Sequence, residues 1–262
     1  MKKMKHLVIF LALLSSSSLA CSITANDKAD GGRCVDVGGY QLYTRIFGKT
    51  APLVIFDSGS GDDSSVWDAV ISQVAEFSRV LVYDRAGLGK SDAKPGSSPI
   101  TSQESVEALK HILSKENIKP PYLLVGHSRG GLNMQLYAQK YPDEVAGVVL
   151  IDSVSRKQNF HDPAPPKTSK SYREAISFDQ SREQVKNAQA FPPLPLIVLT
   201  ATHHHESEQR EQMWQQWQDG IANLSPKAMH IFAYGSGHYI QKQQPQLVIN
   251  AIYTLVRLIG CK

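Results

Sequence analysis

LLVGHSRGG, residues 123–131, is the stretch on which the reading of the whole chain turns. A continuous apolar run leads into Gly126, and Ser128 stands between His127 and Arg129 with Gly130 and Gly131 behind it. The apolar part reads as a strand buried on both faces, and the LNMQLYAQKY that follows reads as a helix ended by Pro142. GHSRG therefore matches G-x-S-x-G in the strand–turn–helix context that the motif requires. A sharp turn there projects Ser128 from the sheet edge, Gly126 and Gly130 let backbones approach, and the Arg129 N–H at the helix start is placed to donate to an oxyanion. The competing reading is a tight turn that needs glycine and does no chemistry. A lone serine is a poor nucleophile at neutral pH, so the rest of the chain must supply a base and an acid to orient it.

Working outward, the pattern of Tyr122–Gly126 recurs. LVIF (53–56), VLVYD (80–84), VAGVVLID (145–152), LPLIVLTA (194–201) and MHIFAY (229–234) are short apolar runs, and YQLYTRIFG (40–48) alternates as a half-exposed strand does. Between them lie helical patterns. TSQESVEALKHILSKENI opens with Thr101 and Glu104 at capping-box spacing, and PQLVINAIYTLVRLIG puts Val248, Ile252, Leu255 and Ile259 on one stripe. Strands alternating with helices predict an α/β fold with a mostly parallel central sheet and helices on both faces. Residues 153–193 break the rhythm with DPAPP, PKTSK and FPP and with weak helical stretches near 172–176 and 183–190. About forty residues is long for a connection between buried strands, and the segment is expected to be a short cap or lid insertion.

LVIFDSGSG, VLVYDRAGLGKSD, LLVGHSRGG and GSGHYI, in that order and spacing, resemble the α/β-hydrolase superfamily over nearly all of residues 35–260. The resemblance implies a serine hydrolase of the esterase type with an acyl-enzyme on Ser128 and a Ser–His–acid triad. It implies no metal, nucleotide or flavin. Many members carry His-Gly where this chain has Ser58-Gly59, but the second oxyanion donor is a backbone N–H, which Ser60 supplies. The family order of nucleophile, acid and histidine puts the base at His238, in GSGHYI between the last strand and the last helix.

The acid is the open assignment. Many members place an aspartate just beyond the strand at 194–201, where this chain has THHHESE and offers Glu206 and Glu208 instead. Others use the end of the preceding strand, where Asp152 closes VVLID. Asp152 is preferred because it lies at the sheet's carboxyl edge, whereas Glu206 must reach in from a loop. His127 is expected to be structural. The run His203–His204–His205 could be a metal site, but without a second ligand cluster it reads as a polar loop. Asp84 and Arg85 are expected to tie their loop near the site. Trp67 reads as helix packing, and Trp214 and Trp217, three apart on one helix face, read as packing rather than as pocket lining.

The amino terminus stands apart. MKKMKH, LVIFLALL and SSSSLA form the charged, apolar and small-residue regions of a signal peptide over residues 1–20, too short to span a bilayer. Residues 21–33 then read as a flexible leader and 34–262 as the hydrolase domain. An exported bacterial protein, periplasmic or secreted, is expected. Cys21 after Ala20 also resembles a lipoprotein box, so membrane attachment through Cys21 is the alternative to soluble export. Export permits Cys34 and Cys261 to pair, the alternative being two free thiols. The net charge of +4 falls to about +1 once Lys2, Lys3 and Lys5 leave, and no basic run points to nucleic acid.

The expected partner is a small ester or other acyl substrate. Serine at the nucleophile position argues against haloalkane and epoxide chemistry, which use aspartate there in this superfamily. Amide, thioester and carbon–carbon bond hydrolysis stay open, as does a hydrolase fold kept as a non-catalytic binding module.

Overall fold

The structure is a computed structural model and describes residues 21–159, 163–204 and 206–260. The expected signal peptide, Cys261 and His205 lie outside the described residues. One sheet contains β1 Gly32–Asp36, β2 Gln41–Phe47, β3 Leu53–Asp57, β4 Arg79–Tyr83, β5 Tyr122–His127, β6 Val145–Ile151, β7 Leu196–Ala201 and β8 Ala228–Ala233. Their order is β1-β2-β4-β3-β5-β6-β7-β8. Only β2 runs against its neighbours β1 and β4; the other pairings are parallel. The helices are α1 Ala25–Ala29, α2 Asp68–Val74, α3 Ser102–Lys115, α4 Arg129–Lys140, α5 Tyr172–Ala175, α6 Phe178–Asn187, α7 Glu208–Ala222, α8 Ile240–Gln243 and α9 Pro245–Gly260.

The continuous apolar runs are explained by a sheet covered on both sides. Along β5, Leu124 faces one core with Leu109 of α3 and Leu132 and Leu136 of α4. Leu123 and Val125 face the other, with Val70 of α2 and Val248 and Ile252 of α9. Trp67 is fully buried in that second core, its ring 5.1 Å from Phe56, as expected of a packing residue. The capping box forms as its spacing predicts: the Glu104 amide donates to Thr101 Oγ1 and the Thr101 amide to the Glu104 carboxylate. With the central strands parallel, the loops after β3, β5, β6, β7 and β8 emerge at one carboxyl edge, where open α/β sheets hold ligands.

Two readings of the amino-terminal region need correction. Residues 21–33, expected to be a flexible leader, carry α1 with its own Thr24–Asp27 capping box, and β1 begins at Gly32. GRCVD lacks the apolar pattern of a core strand because it is a sheet edge, paired on one side only. Cys34 is bonded to Cys21, with Cα atoms 6.0 Å apart, and so is not available to Cys261. The Cys21 amide donates to Asp92, which also accepts from the Gln41 amide, so the segment is stitched to the sheet edge.

The helical part of the insertion is seated on the domain rather than loose. Ser181 Oγ of α6 accepts the Ser102 amide at the start of α3, Gln139 of α4 donates to the Val185 carbonyl, and Val185 is buried. No described helix is long and apolar enough to cross a membrane.

Candidate active site

Ser128 sits between β5 and α4 with φ 52° and ψ −118°, a left-handed conformation that a side chain adopts only when its surroundings enforce it. They do so here. The Ser128 amide donates to the Ile151 carbonyl at 3.0 Å, and the Ser128 carbonyl accepts from Val154 at 3.0 Å. The turn closes so tightly that a Cβ on Gly130 would overlap the Asp57 carbonyl, and one on Gly126 would lie 2.6 Å from the Gly130 carbonyl. Ser128 therefore opens into a pocket of about 370 Å³, whose walls include Val154, Phe178, His204, Trp214 and His238.

His238 shares that pocket. Its Nδ1 donates to Asp152 Oδ2 at 2.6 Å, and Asp152 is fully buried. Glu206, the other candidate acid, instead pairs with Arg210 at 3.1 Å, both half-exposed. Asp152 follows β6 at φ 43°, a left-handed position that aspartate tolerates better than most residues. Four donors converge on its carboxylate. Oδ1 accepts from the Ala201 amide at 3.0 Å and from Trp214 Nε1 at 2.8 Å, while Oδ2 accepts from His238 and from His204 Nε2 at 2.8 Å. Burial alone would raise the Asp152 pKa, but the hydrogen bonds from His204 and His238 outweigh it and hold the carboxyl well below the usual range.

His204 and Trp214 were not expected here. The histidine run reads in sequence as a polar loop and the tryptophan pair as packing, yet His204 and Trp214 both touch Asp152. His204 also binds Glu211 of α7 through Nδ1 at 2.8 Å and through its own amide at 2.6 Å. Burial works against its proton, but these two carboxylates raise its pKa to about 9. Asp152, His204 and His238 bring ligand-type atoms within 4.8 Å of one another. At 2.6 and 2.8 Å, however, the nitrogens and the carboxylate oxygen are in direct hydrogen bonds, and an ion about 2.0 Å from each ligand would have to part them.

The loop after β3 comes up against the same turn, the Asp57 and Ser58 carbonyls lying where a Cβ on Gly130 would be. Arg85, buried, donates to the Ser58 carbonyl and the Gly59 carbonyl, both at 2.6 Å, and to Asp57 at 2.5 Å. A trans peptide points its N–H opposite its C=O, so turning the Gly59 carbonyl toward Arg85 turns the Ser60 N–H away from it. No described residue accepts from that amide. Asp84 accepts the Ser64 and Lys90 amides, so this acidic–basic pair ties the loops as expected. Glu174 of α5 completes the arrangement. Its carboxylate binds Arg85 Nε at 2.7 Å, Ser60 Oγ at 3.2 Å and the Gly61 amide at 3.1 Å, although nothing in its sequence context marks it.

The Arg129 amide lies in the first turn of α4, where amides have no intrahelical partner. Its guanidinium is buried elsewhere, donating to the Glu174 carbonyl at 3.0 Å, the Ile100 carbonyl at 2.6 Å and Ser177 Oγ at 3.0 Å. His127 is fully buried, and its Nε2 is 2.9 Å from the His238 carbonyl. Burial pushes its pKa down to about 3, so it is neutral and supports the loop that carries His238. Ser58 accepts from Trp67 Nε1 at 3.0 Å.

Residues 52–250 match the family model described as alpha/beta hydrolase fold. The chain belongs to the α/β-hydrolase family. The uncharacterized protein YqjL of Bacillus subtilis is 29% identical over 214 residues, covering 79% of this chain and 84% of that protein. A 2-(acetamidomethylene)succinate hydrolase of Mesorhizobium japonicum is 33% identical over 122 residues, 46% of this chain and 42% of its own. Among solved structures, the enol-lactonase from Burkholderia xenovorans superposes with a TM-score of 0.67 at 16% identity, over 86% of this chain and 100% of its own. A thermophilic esterase from Thermogutta terrifontis gives 0.64 at 19%, over 87% and 98%. Those two likenesses concern the hydrolase fold.

Proposed function

We propose that this α/β hydrolase is an exported serine hydrolase that cleaves a carboxylic ester or closely related acyl bond. One observation carries the reading: a single pocket holds Ser128 on its strained turn together with His238, whose Nδ1–H is engaged by buried Asp152. That bond fixes the tautomer and leaves Nε2 of His238 as the base. Ser128 Oγ attacks the carbonyl carbon as His238 takes its proton. The amides of Ser60 and Arg129 stabilise the oxyanion, and the leaving group receives the proton from His238. Water, deprotonated by the same histidine, then releases the acid from the acyl-enzyme.

A space of about 370 Å³, walled by Val154, Phe178 and Trp214 together with Gln158, Glu206, Arg210 and Glu211, suits a small acyl group that meets both apolar and polar side chains. The signal-like residues 1–20 and the Cys21–Cys34 bridge support export to an oxidising compartment. The relative named 2-(acetamidomethylene)succinate hydrolase is a reason to keep amides among the substrates tried.

The reading is tested with a fluorophosphonate probe and a panel of p-nitrophenyl esters and anilides on the purified chain. The expected result is labelling of Ser128, loss of labelling in Ser128→Ala, and best turnover on short acyl esters. A folded wild type that neither takes up the probe nor turns over any member of the panel would refute it.

A further inference from the structure

The Ser128–His238–Asp152 arrangement leaves His204 unexplained, although His204 is bound directly to Asp152. Each ring nitrogen of His204 lies 2.8 Å from a carboxylate oxygen, Nε2 from Asp152 Oδ2 and Nδ1 from Glu211 Oε2. Ionised carboxylates only accept hydrogen bonds. A neutral imidazole has one N–H and one lone pair, so one of these contacts would set a lone pair against a carboxylate. Both contacts are satisfied only when both nitrogens carry protons. The geometry therefore describes an imidazolium held between two anions, only 12% of its side chain exposed.

Its ring centroid is 6.2 Å from that of His238. In an ordinary pair the whole negative charge of the acid favours a proton on the histidine. Here the carboxylate oxygen that takes the His238 Nδ1–H also takes a hydrogen bond from a cation. We propose that His204 is a cationic positioning residue: gripped by Asp152 and Glu211, it fixes the Asp152 carboxylate beneath His238 and opposes a second positive charge on His238. This rests on the serine-hydrolase reading.

The other groups around the two rings do not supply the same effect. His127 faces His238 with centroids 4.6 Å apart but is buried and neutral. Trp214 packs on both His204 and His238 and carries no charge, and Tyr239 lies 5.6 Å from His238. Asp62, in the loop after β3, and Lys242 of α8 act on this region with opposite signs. On the α7 side, Glu206 and Arg210 neutralise each other. His204 and its two carboxylates thus form the charged group specific to the acid end of the site.

The decisive measurement is the rate of fluorophosphonate inactivation against pH for the wild type and for His204→Gln. Glutamine still donates one N–H toward Asp152 but carries no charge, and Glu211 is left uncompensated, so both changes favour a proton on His238. The acid limb of the profile is expected to move to higher pH by about half a unit to two units, the range for one charge at this spacing between water-like and protein-like screening. If the variant loses rate equally at every pH, with the limb unmoved, His204 is merely structural and the inference is wrong. A folded wild type that the probe never labels overturns the hydrolase reading and this inference with it. Should His204→Gln fail to fold, nitrogen-15 spectra of the wild-type imidazoles decide: two protonated ring nitrogens on His204 at neutral pH uphold the inference, and a single one overturns it.

Discussion

At Asp152 the backbone is left-handed, the side chain is fully buried, and four N–H groups point at two oxygens. A carboxylate so held cannot swing to another partner, and replacing it leaves buried donors unmatched. Asp152→Asn is therefore expected to cut ester turnover by about four orders of magnitude, since an amide in this place sets the wrong tautomer on His238. Glu206→Gln, which removes a half-exposed ion pair, should change turnover by no more than a few-fold, and steady-state kinetics on a p-nitrophenyl ester separate the two. Ser128 and His238 could be picked out in the sequence because each lies in a local motif beside a strand end. His204, Glu211 and Trp214 could not. His204 and Trp214 meet Asp152 only because β6 and β7 pair in register and α7 folds back over their ends, joining positions 52 and 62 residues apart in the chain, and Glu211 joins the group through His204, seven residues before it. A run of three histidines says nothing about which ring points inward.

The parallel strands and long helices were legible because periodicity records burial on one or two faces. The strand β1 was not, since an edge strand that buries only Gly32 and Val35 leaves too little signal. The insertion after β6 was legible as an interruption, but what its helices carry inward was not. Its short helix α5 delivers Glu174 into the protein interior, where it binds Arg85, Ser60 and the Gly61 amide on the loop proposed to hold the oxyanion. Burial would raise the Glu174 pKa, but Arg85 and Arg129 bring it down to about 2, so the carboxylate is charged throughout the working range. Glu174→Gln leaves Arg85 underpaired in the interior and is expected to lower stability by about 3 kcal/mol, read from urea unfolding. Loosening the Ser60 amide should lower kcat on the same ester by at least about tenfold with little change in KM, because an oxyanion donor acts chiefly in the transition state.

Across the whole molecule, the sheet separates two tasks. The candidate site gathers at the ends of β3, β5, β6, β7 and β8, while the Cys21–Cys34 bridge lies at the far edge, on β1. The bridge spans 13 positions, a loop for which chain-entropy arguments give roughly 3 kcal/mol. A double Cys21→Ser/Cys34→Ser variant should unfold at correspondingly lower urea while keeping its ester turnover. The bridge also bears on lipid attachment at Cys21. Divalent sulfur has room for one bond beyond its own side chain. At Cys21 that valence joins Cys34, so the same atom cannot also carry the thioether of a lipid. A population stapled at its sheet edge and a population anchored in a bilayer would be chemically distinct molecules, and the intact mass of the purified protein tells them apart.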